Sequence, residues 1–470
     1  MKHVTTGTTR AVPDERPRSA FAAIRHRLDD APPVAISAAL YLLALAVAVA
    51  VGLASGYNQR PEQLDFDELE YWQLSSQLLD GSFVLFPRRT AAYPLILAGL
   101  RMIAPNFLAV QIMVSAIYAL SAPLLFLLVR KLSGSAAIGA LAGLLFALWP
   151  PTVFYGASLY SEPVALPLFL LALGAIPPGS RVAGVPTASP RARAAVGAGL
   201  LLALTAQVRS MYLLFVPFAV LIVLLEERRL ALSLRRAALL LAGFAVATLP
   251  WSAYMTARFH HPVILTSNGG ETLSGGLGPR LLAFGRAERT AAFDRSTWIG
   301  PGKWMSVADN GYLSAEEIRT LPYDRQDALL QQRTLAWIRA HPGDAAYIEL
   351  CKLGYMWGIY RMTDNGGVQL LFGAVPIVAL LVVSVLALAT RRGLIARTPR
   401  LWLVPVFVSA VALISWGSWR FRQPADAALL ALVAIACTAA SRSPNPLRAR
   451  GGRDRPGGAS PAGHAPPYRG

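Results

Sequence analysis

The chain has 470 residues, 54% of them hydrophobic and only 15% charged, with a mean hydropathy of +0.46; that balance excludes a soluble globular or disordered chain of this length. Lys and Arg number 44 against 26 Asp and Glu, a net charge of +18. The basic residues sit in short segments between apolar runs and in both tails, the pattern of the positive-inside rule rather than of a nucleic-acid binder. Cys351 and Cys437 are far apart and offer neither a disulfide framework nor metal-ligand spacing.

Residues 1–33 form a polar N-terminal tail with Lys2, Arg10, Arg16, Arg18, Arg25 and Arg27, expected in the cytoplasm. The first apolar run, 34–54, is too long for a signal-peptide core and reads as an uncleaved span. Residues 57–90 make a first outer loop, and 91–104 is apolar but short, an interfacial or re-entrant piece. The run 107–129 ends on Arg130 and Lys131, on the cytoplasmic side. Four shorter runs near 135–150, 161–176, 194–208 and 211–225 pair into hairpins whose outer tips are residues 150–160 and Arg209. Their other ends meet basic loops around Arg181, Arg191 and Arg193, and around Arg228, Arg229, Arg235 and Arg236. A run at 237–254 leads out into a long segment, 255–365, of mixed charge and no span. Runs at 368–388, 401–416 and 427–440 follow, with a basic loop at 391–400. The tail 441–470 is rich in Pro, Gly and Arg and expected to be disordered and cytoplasmic. The chain therefore reads as an all-α polytopic membrane protein of about ten transmembrane helices over 34–440, both termini inside. The corresponding location is a bacterial plasma membrane.

That topology gathers a particular set on the outer face: the segment from Asp65 to Tyr71, then Arg88, Arg89, Glu162, Arg209, Asn268, Arg420 and Arg422. Interfacial residues and snorkelling arginines are the bland alternative for each alone, but acidic and basic clusters together beside hydrocarbon point to a site. If 64–72 is helical, Asp67 and Tyr71 lie one turn apart on one face. Desolvation at the bilayer edge is expected to raise the pKa of Asp67 toward that of a general base for an acceptor hydroxyl. The Asp65-Phe66-Asp67 triplet also spells a metal-diphosphate motif of nucleotide-sugar transferases, but the short loop has no room for the α/β domain that presents it. Arginine forks at headgroup depth suit a lipid phosphate. The Gly-rich run 266–280 lacks a nucleotide P-loop ending, and His260, His261 and His341 show no metal spacing.

Several motifs, in order, resemble those of the membrane-embedded GT-C glycosyltransferases that use polyprenyl-phosphate sugars, such as protein O-mannosyltransferases and aminoarabinose transferases. Asp67-Glu68-Leu69-Glu70-Tyr71, with Leu78 and Gly81, is similar to their first outer-loop motif, and Arg88 through Tyr93-Pro94 to its close. Tyr160-Ser161-Glu162 is similar to a second acidic position, and Leu249-Pro250-Trp251 with Thr266-Ser267-Asn268-Gly269-Gly270 to a later segment. Trp337 through Pro342 and Arg420-Phe421-Arg422-Gln423-Pro424 complete the set. Thr90-Ala91-Ala92 and Tyr254-Met255-Thr256-Ala257 depart from the pattern. The resemblance implies a GT-C fold and an inverting transfer from a polyprenyl-phosphate donor to a lipid, glycan or protein acceptor of the envelope. Asp67 and Glu68 would be catalytic; Tyr71, Arg88, Arg89, Tyr93, Glu162, Arg209, Asn268, Arg420 and Arg422 would bind substrate, and a divalent metal on the acids is possible. A transporter or flippase for a lipid-linked saccharide is the alternative, and would call for ionisable groups at mid-membrane or an inverted repeat. An inactive structural subunit of the same fold is a third.

Overall fold

The computed structural model describes residues 20–55, 61–64, 66–82, 88–181, 191–287, 301–359 and 373–440. The readings made on Asp65, on most of the N-terminal tail, on the tail 441–470 and on the start of the 368–388 run fall outside them. Helices and the turns between them make up the described residues, with no strand among them. In chain order the helices are α1 (Ala20–Asp30), α2 (Pro33–Ser55), α3 (Phe66–Asp80), α4 (Ala92–Ile103), α5 (Phe107–Ala119), α6 (Ser121–Ser133), α7 (Ala136–Ala147), α8 (Pro150–Gly156), α9 (Glu162–Ala175), α10 (Arg191–Val208), α11 (Val216–Glu226) and α12 (Leu230–Phe259). The long segment after α12 supplies α13 (Gly269–Gly276), α14 (Pro279–Ala287), α15 (Ala315–Thr320), α16 (Tyr323–Ala340) and α17 (Pro342–Met356). Then come α18 (Val375–Thr390), α19 (Arg392–Arg397), α20 (Pro399–Ile414) and α21 (Gln423–Ala440).

Among the described residues three helical stretches are long and apolar enough to cross a membrane: α2, the α5–α6 pair, and α12. The α7–α8 pair adds a fourth if its 64° bend lies within one span. Six further apolar helices are of 10–17 residues, shorter than the ~20 that a bilayer core asks for. The ten spans read from the sequence are therefore not reached on length and composition alone. Helix is the required form for such runs, because hydrocarbon leaves each backbone N–H and C=O to find its partner within the segment. The boundaries follow local chemistry. Asn106 caps α5 by accepting from the Ala109 N–H at 3.3 Å, and α6 stops at Gly134, whose left-handed φ of 71° closes the helix. Helix α12 starts seven residues earlier than expected. Its basic pair does not break it because Arg236 is buried and donates to Glu227 at 2.8 Å.

The body packs by close backbone approach. A Cβ on Gly199 of α10 would lie 2.0 Å from the Leu240 carbonyl oxygen of α12, and one on Gly243 would lie 2.3 Å from that of Val196; only glycine admits this contact, the small-residue packing of membrane helices. Polar residues collect at the two ends of the same helices. Helix α9 begins at Glu162 and ends beneath Arg400, which donates to the Leu173 and Ile176 carbonyls and forms a fully buried ion pair with Glu226. Fourteen residues of helix put about 21 Å between the two ends. The Glu226–Arg400 pair therefore closes the end of the bundle opposite Glu162 and ties α9, α11 and α20 together. Arg400→Ala leaves the Glu226 charge buried and unpaired and should lower stability by about 3–5 kcal/mol, read as a fall in the thermal midpoint in nanodiscs; a midpoint equal to wild type would contradict the pair's role.

Candidate active site

Helix α3 carries the acidic motif, and Asp67 and Glu68 stand in its first turn, where the unpaired N–H groups of a helix favour negative charge. The helical period separates their tasks. Glu68 is fully buried and accepts the Leu159 N–H at 2.7 Å, fastening α3 to the turn before α9. Asp67 and Glu70 face the other way, toward Arg89, whose Nη2 lies 2.5 Å from Asp67 Oδ1 and 2.7 Å from Glu70 Oε2, with Nε donating to Glu70 at 2.9 Å. Tyr71 is on this side too, its ring 5.0 Å under the Arg89 guanidinium, as the one-turn spacing predicts. Buried Tyr93 meets Tyr71 edge-on at 4.7 Å and donates its hydroxyl to the Leu159 carbonyl at 2.7 Å.

The array continues through Arg420. Its Nη2 donates to Asp67 Oδ2 at 2.6 Å, and its Nε lies 2.8 Å from Glu162 Oε1. The other Glu162 oxygen is 2.9 Å from Arg209 Nη1, which also donates to the Ser161 hydroxyl at 2.9 Å. The order Glu70, Arg89, Asp67, Arg420, Glu162, Arg209 thus alternates in sign, and Arg420 joins the acid of α3 to that at the start of α9. Aromatic faces cover the cations: Tyr160 lies 4.2 Å from Arg420 and Phe421 4.9 Å from Arg209. To one side Arg88 pairs with Glu271 Oε1 at 2.9 Å, while Tyr323 donates its hydroxyl to Glu271 Oε2 at 2.8 Å.

Two cavities open on this array. One, of about 410 Å³, adds Tyr155, Tyr160, Trp304 and Glu271 to the wall. The other, of about 590 Å³, is more apolar and runs past Leu213, Leu214, Ile264, Leu265, Val411 and Ile414. Asp67, Arg88, Arg89, Asn268, Trp416 and Arg420 line both. The fold thus brings Asp67, Tyr71, Arg88, Arg89, Glu162, Arg209, Asn268 and Arg420, all candidates from the sequence, to one place. Arg422 is not there: it is fully buried, donates to Asp426 at 2.8 Å and bonds the Met356 carbonyl. In the tight turn Trp419–Arg422, of about three residues per turn, positions 420 and 422 point about 120° apart. Glu68 and Tyr93 line neither cavity and act from behind it. Glu271 and Trp304 were missed. Glu271 follows the Asn268-Gly269-Gly270 run directly and could have been found there; nothing in its neighbourhood marks Trp304.

The electrostatics also correct an expectation. Burial does push the Asp67 carboxyl upward, but Arg420, Arg89 and Arg209, with the hydrogen bond from Arg420, outweigh it and hold the group far below the usual carboxylate range. Glu271 goes the other way, raised by burial that Arg88 and Tyr323 only partly offset. Among the described residues no group of three His, Cys, Asp or Glu side chains is placed to hold a metal ion, and the oxygens of Asp67 and Glu162 are turned onto arginines, so a divalent cation does not fit this set.

No protein-family profile matches the chain, and no curated protein does. Among solved structures it is similar to the archaeal oligosaccharyltransferase AglB from Archaeoglobus fulgidus, in complex with an inhibitory peptide and a dolichol-phosphate, at 15% identity and a TM-score of 0.46. The match covers 89% of this chain and 52% of that one, so the chain spans about half the length of that protein.

The Asp67 shift has a sign that can be measured. A carboxyl whose folded value lies below its unfolded value near 3.8 adds stability that is complete above about pH 4 and is lost as pH falls further toward the folded value. Asp67→Asn should be less stable than wild type at neutral pH, and the gap between their thermal midpoints should narrow below about pH 4; a gap that stays constant with pH would contradict the ion pairing.

Proposed function

We propose that this chain is a GT-C-type glycosyltransferase, which moves a sugar from a polyprenyl phosphate to an envelope acceptor with inversion at the anomeric carbon. The single observation that carries the reading is the alternating carboxylate and guanidinium array where an apolar and a polar cavity join. An apolar cavity ending in arginines matches a lipid phosphate, whose tail needs hydrocarbon walls and whose head needs bidentate donors. The ordered motifs of the sequence support the same reading.

The chemistry assigned to these residues is limited and balanced. The acceptor hydroxyl oxygen attacks the anomeric carbon, the bond from that carbon to the phosphate oxygen breaks, and its electron pair leaves on the lipid phosphate. Arg89 and Arg420, with Arg209 and Arg88 nearby, stabilise that charge in a site shielded from bulk water. The hydroxyl proton passes to Asp67. In the unliganded protein Asp67 is too weak a base for this, because Arg89 and Arg420 hold its carboxylate. A phosphate bound to the same two arginines draws them off Asp67, and the carboxylate becomes basic when the donor is in place. Glu162 keeps Arg209 and Arg420 aimed at the join.

The membrane arrangement belongs to the same proposal. Helices α9, α10, α11, α18, α20 and α21 are read as crossings beside α2, α5–α6, α7–α8 and α12, ten in all. The site then faces the outside of a bacterial plasma membrane, with both termini in the cytoplasm, since the basic loops lie at the other ends of the same helices.

Purified protein in nanodiscs, supplied with a polyprenyl-phosphate sugar, should release the sugar from its lipid. Asp67→Asn should lower turnover by at least about 100-fold; near wild-type turnover would remove Asp67 from the reaction. Arg420→Lys keeps the charge but cannot bridge Asp67 and Glu162 with two separate nitrogens. It should behave like Arg420→Met, and restored turnover would show that only charge is needed. Movement of a lipid-linked saccharide across the bilayer without any sugar release would favour the transporter reading.

A further inference from the structure

The polar cavity has a composition of its own. Tyr155, Tyr160, Trp304 and Trp416 line it together with Glu271 and Asn268, beside the arginines of the array, so aromatic faces and hydrogen-bonding groups share one compartment. We infer that this cavity is a saccharide subsite, and that the hydroxyl receiving the transferred sugar is carried on a glycan; the inference rests on the transfer reading above. A sugar ring presents apolar C–H faces and a rim of hydroxyls. Flat aromatic walls with a few polar groups between them satisfy both in one pose.

The walls of this cavity are side chains of mixed character in a compartment of about 410 Å³. That is a small-molecule volume.

The aromatic wall is also built to stay in place. Trp304 packs onto Gly275, where a Cβ would lie 2.0 Å from the indole nitrogen, so any other residue at 275 would expel the ring. The Met305 N–H donates to the Gly275 carbonyl at 2.8 Å, and the Gly417 N–H to the Gly302 carbonyl at 2.9 Å. The first bond ties the Trp304 loop to α13 and the second ties it to the Trp416 loop; the two indole rings lie 5.9 Å apart, and Trp416 is backed by Phe421 at 4.9 Å. A wall fixed before binding costs little ordering when a ligand arrives. Because Trp416 and Asp67 line both cavities, a ring held here presents its hydroxyl rim at the point where the donor's phosphate would be bound.

The test uses full-length protein in nanodiscs, with radiolabelled polyprenyl-phosphate sugars extracted from the host's own membranes as donor. Two acceptor pools are offered separately: saccharides released from the host envelope by mild acid, and a tryptic digest of its envelope proteins. Label should pass to the saccharide pool. Trp304→Ala should raise the apparent KM for saccharide at least about 10-fold while the KM for the donor lipid stays within about 2-fold, and Trp304→Phe should restore most of the loss. Tyr155→Phe, a change of one hydroxyl that does not threaten folding, should raise the saccharide KM to a smaller extent. Label passing to peptides alone, or an unchanged saccharide KM in Trp304→Ala and Tyr155→Phe alike, would overturn the inference and leave the transfer reading standing. No consumption of donor with either pool would overturn both.

Discussion

Burying charge beside hydrocarbon is the constraint on which this molecule is organised. An isolated carboxylate or guanidinium costs several kcal/mol to take out of water, so buried charges persist when each has a partner of opposite sign. Asp67, Glu70 and Glu162 alternate with Arg89, Arg209 and Arg420, and Arg88 with Glu271 repeats the arrangement alongside. These residues come from α3 with the segment before α4, the first residue of α9, the α10–α11 connection, α13 and the turn before α21. The requirement for pairing therefore fixes where five separate parts of the chain meet. The Glu226–Arg400 pair does the same at the other end of α9.

A neutral array of this kind is also a site in waiting. Arginines held by carboxylates are oriented and desolvated before any ligand comes, which removes much of the cost of assembling an anion site. Under the proposed function the same pairing silences Asp67 until a competing anion takes its arginines. In the proposed function donor binding and base activation are thus one event, and a carboxylate held far below its usual range suits the chemistry instead of arguing against it. Glu271, raised by burial, keeps Arg88 at the edge of the polar cavity, where the saccharide ring is proposed to lie.

The sequence carried the all-helical class, the position of most apolar runs and the convergence of the acidic and basic motifs, because each rests on local pattern: hydropathy, helical period and the distribution of Lys and Arg. The pairing of Asp67 with Tyr71 on one face was legible for the same reason. What was not legible depended on long-range contact. The downward shift of Asp67 comes from Arg89 and Arg420, 22 and 353 positions away, and burial alone gave the opposite sign. Arg422 looked equivalent to Arg420 in the motif, and only the tight turn sends it into the packing against Met356. Trp304 reaches the cavity because Gly275 leaves room for it, a relation no spacing within either segment announces. Apolar length alone separates α2, α5–α6 and α12 from the shorter helices of about 15 residues, which sit at the margin of what crosses a bilayer.

The most direct measurement is the affinity of a sugar-free polyprenyl phosphate for wild-type protein and for Asp67→Asn, both in nanodiscs. If the lipid phosphate takes Arg89 and Arg420 from Asp67, the variant has lost the competing carboxylate. It should bind the lipid more tightly, by at least about 10-fold, because the two charge-assisted hydrogen bonds from Arg89 and Arg420 to the carboxylate no longer have to be broken. Equal or weaker binding by Asp67→Asn would contradict the exchange of partners at the centre of the site.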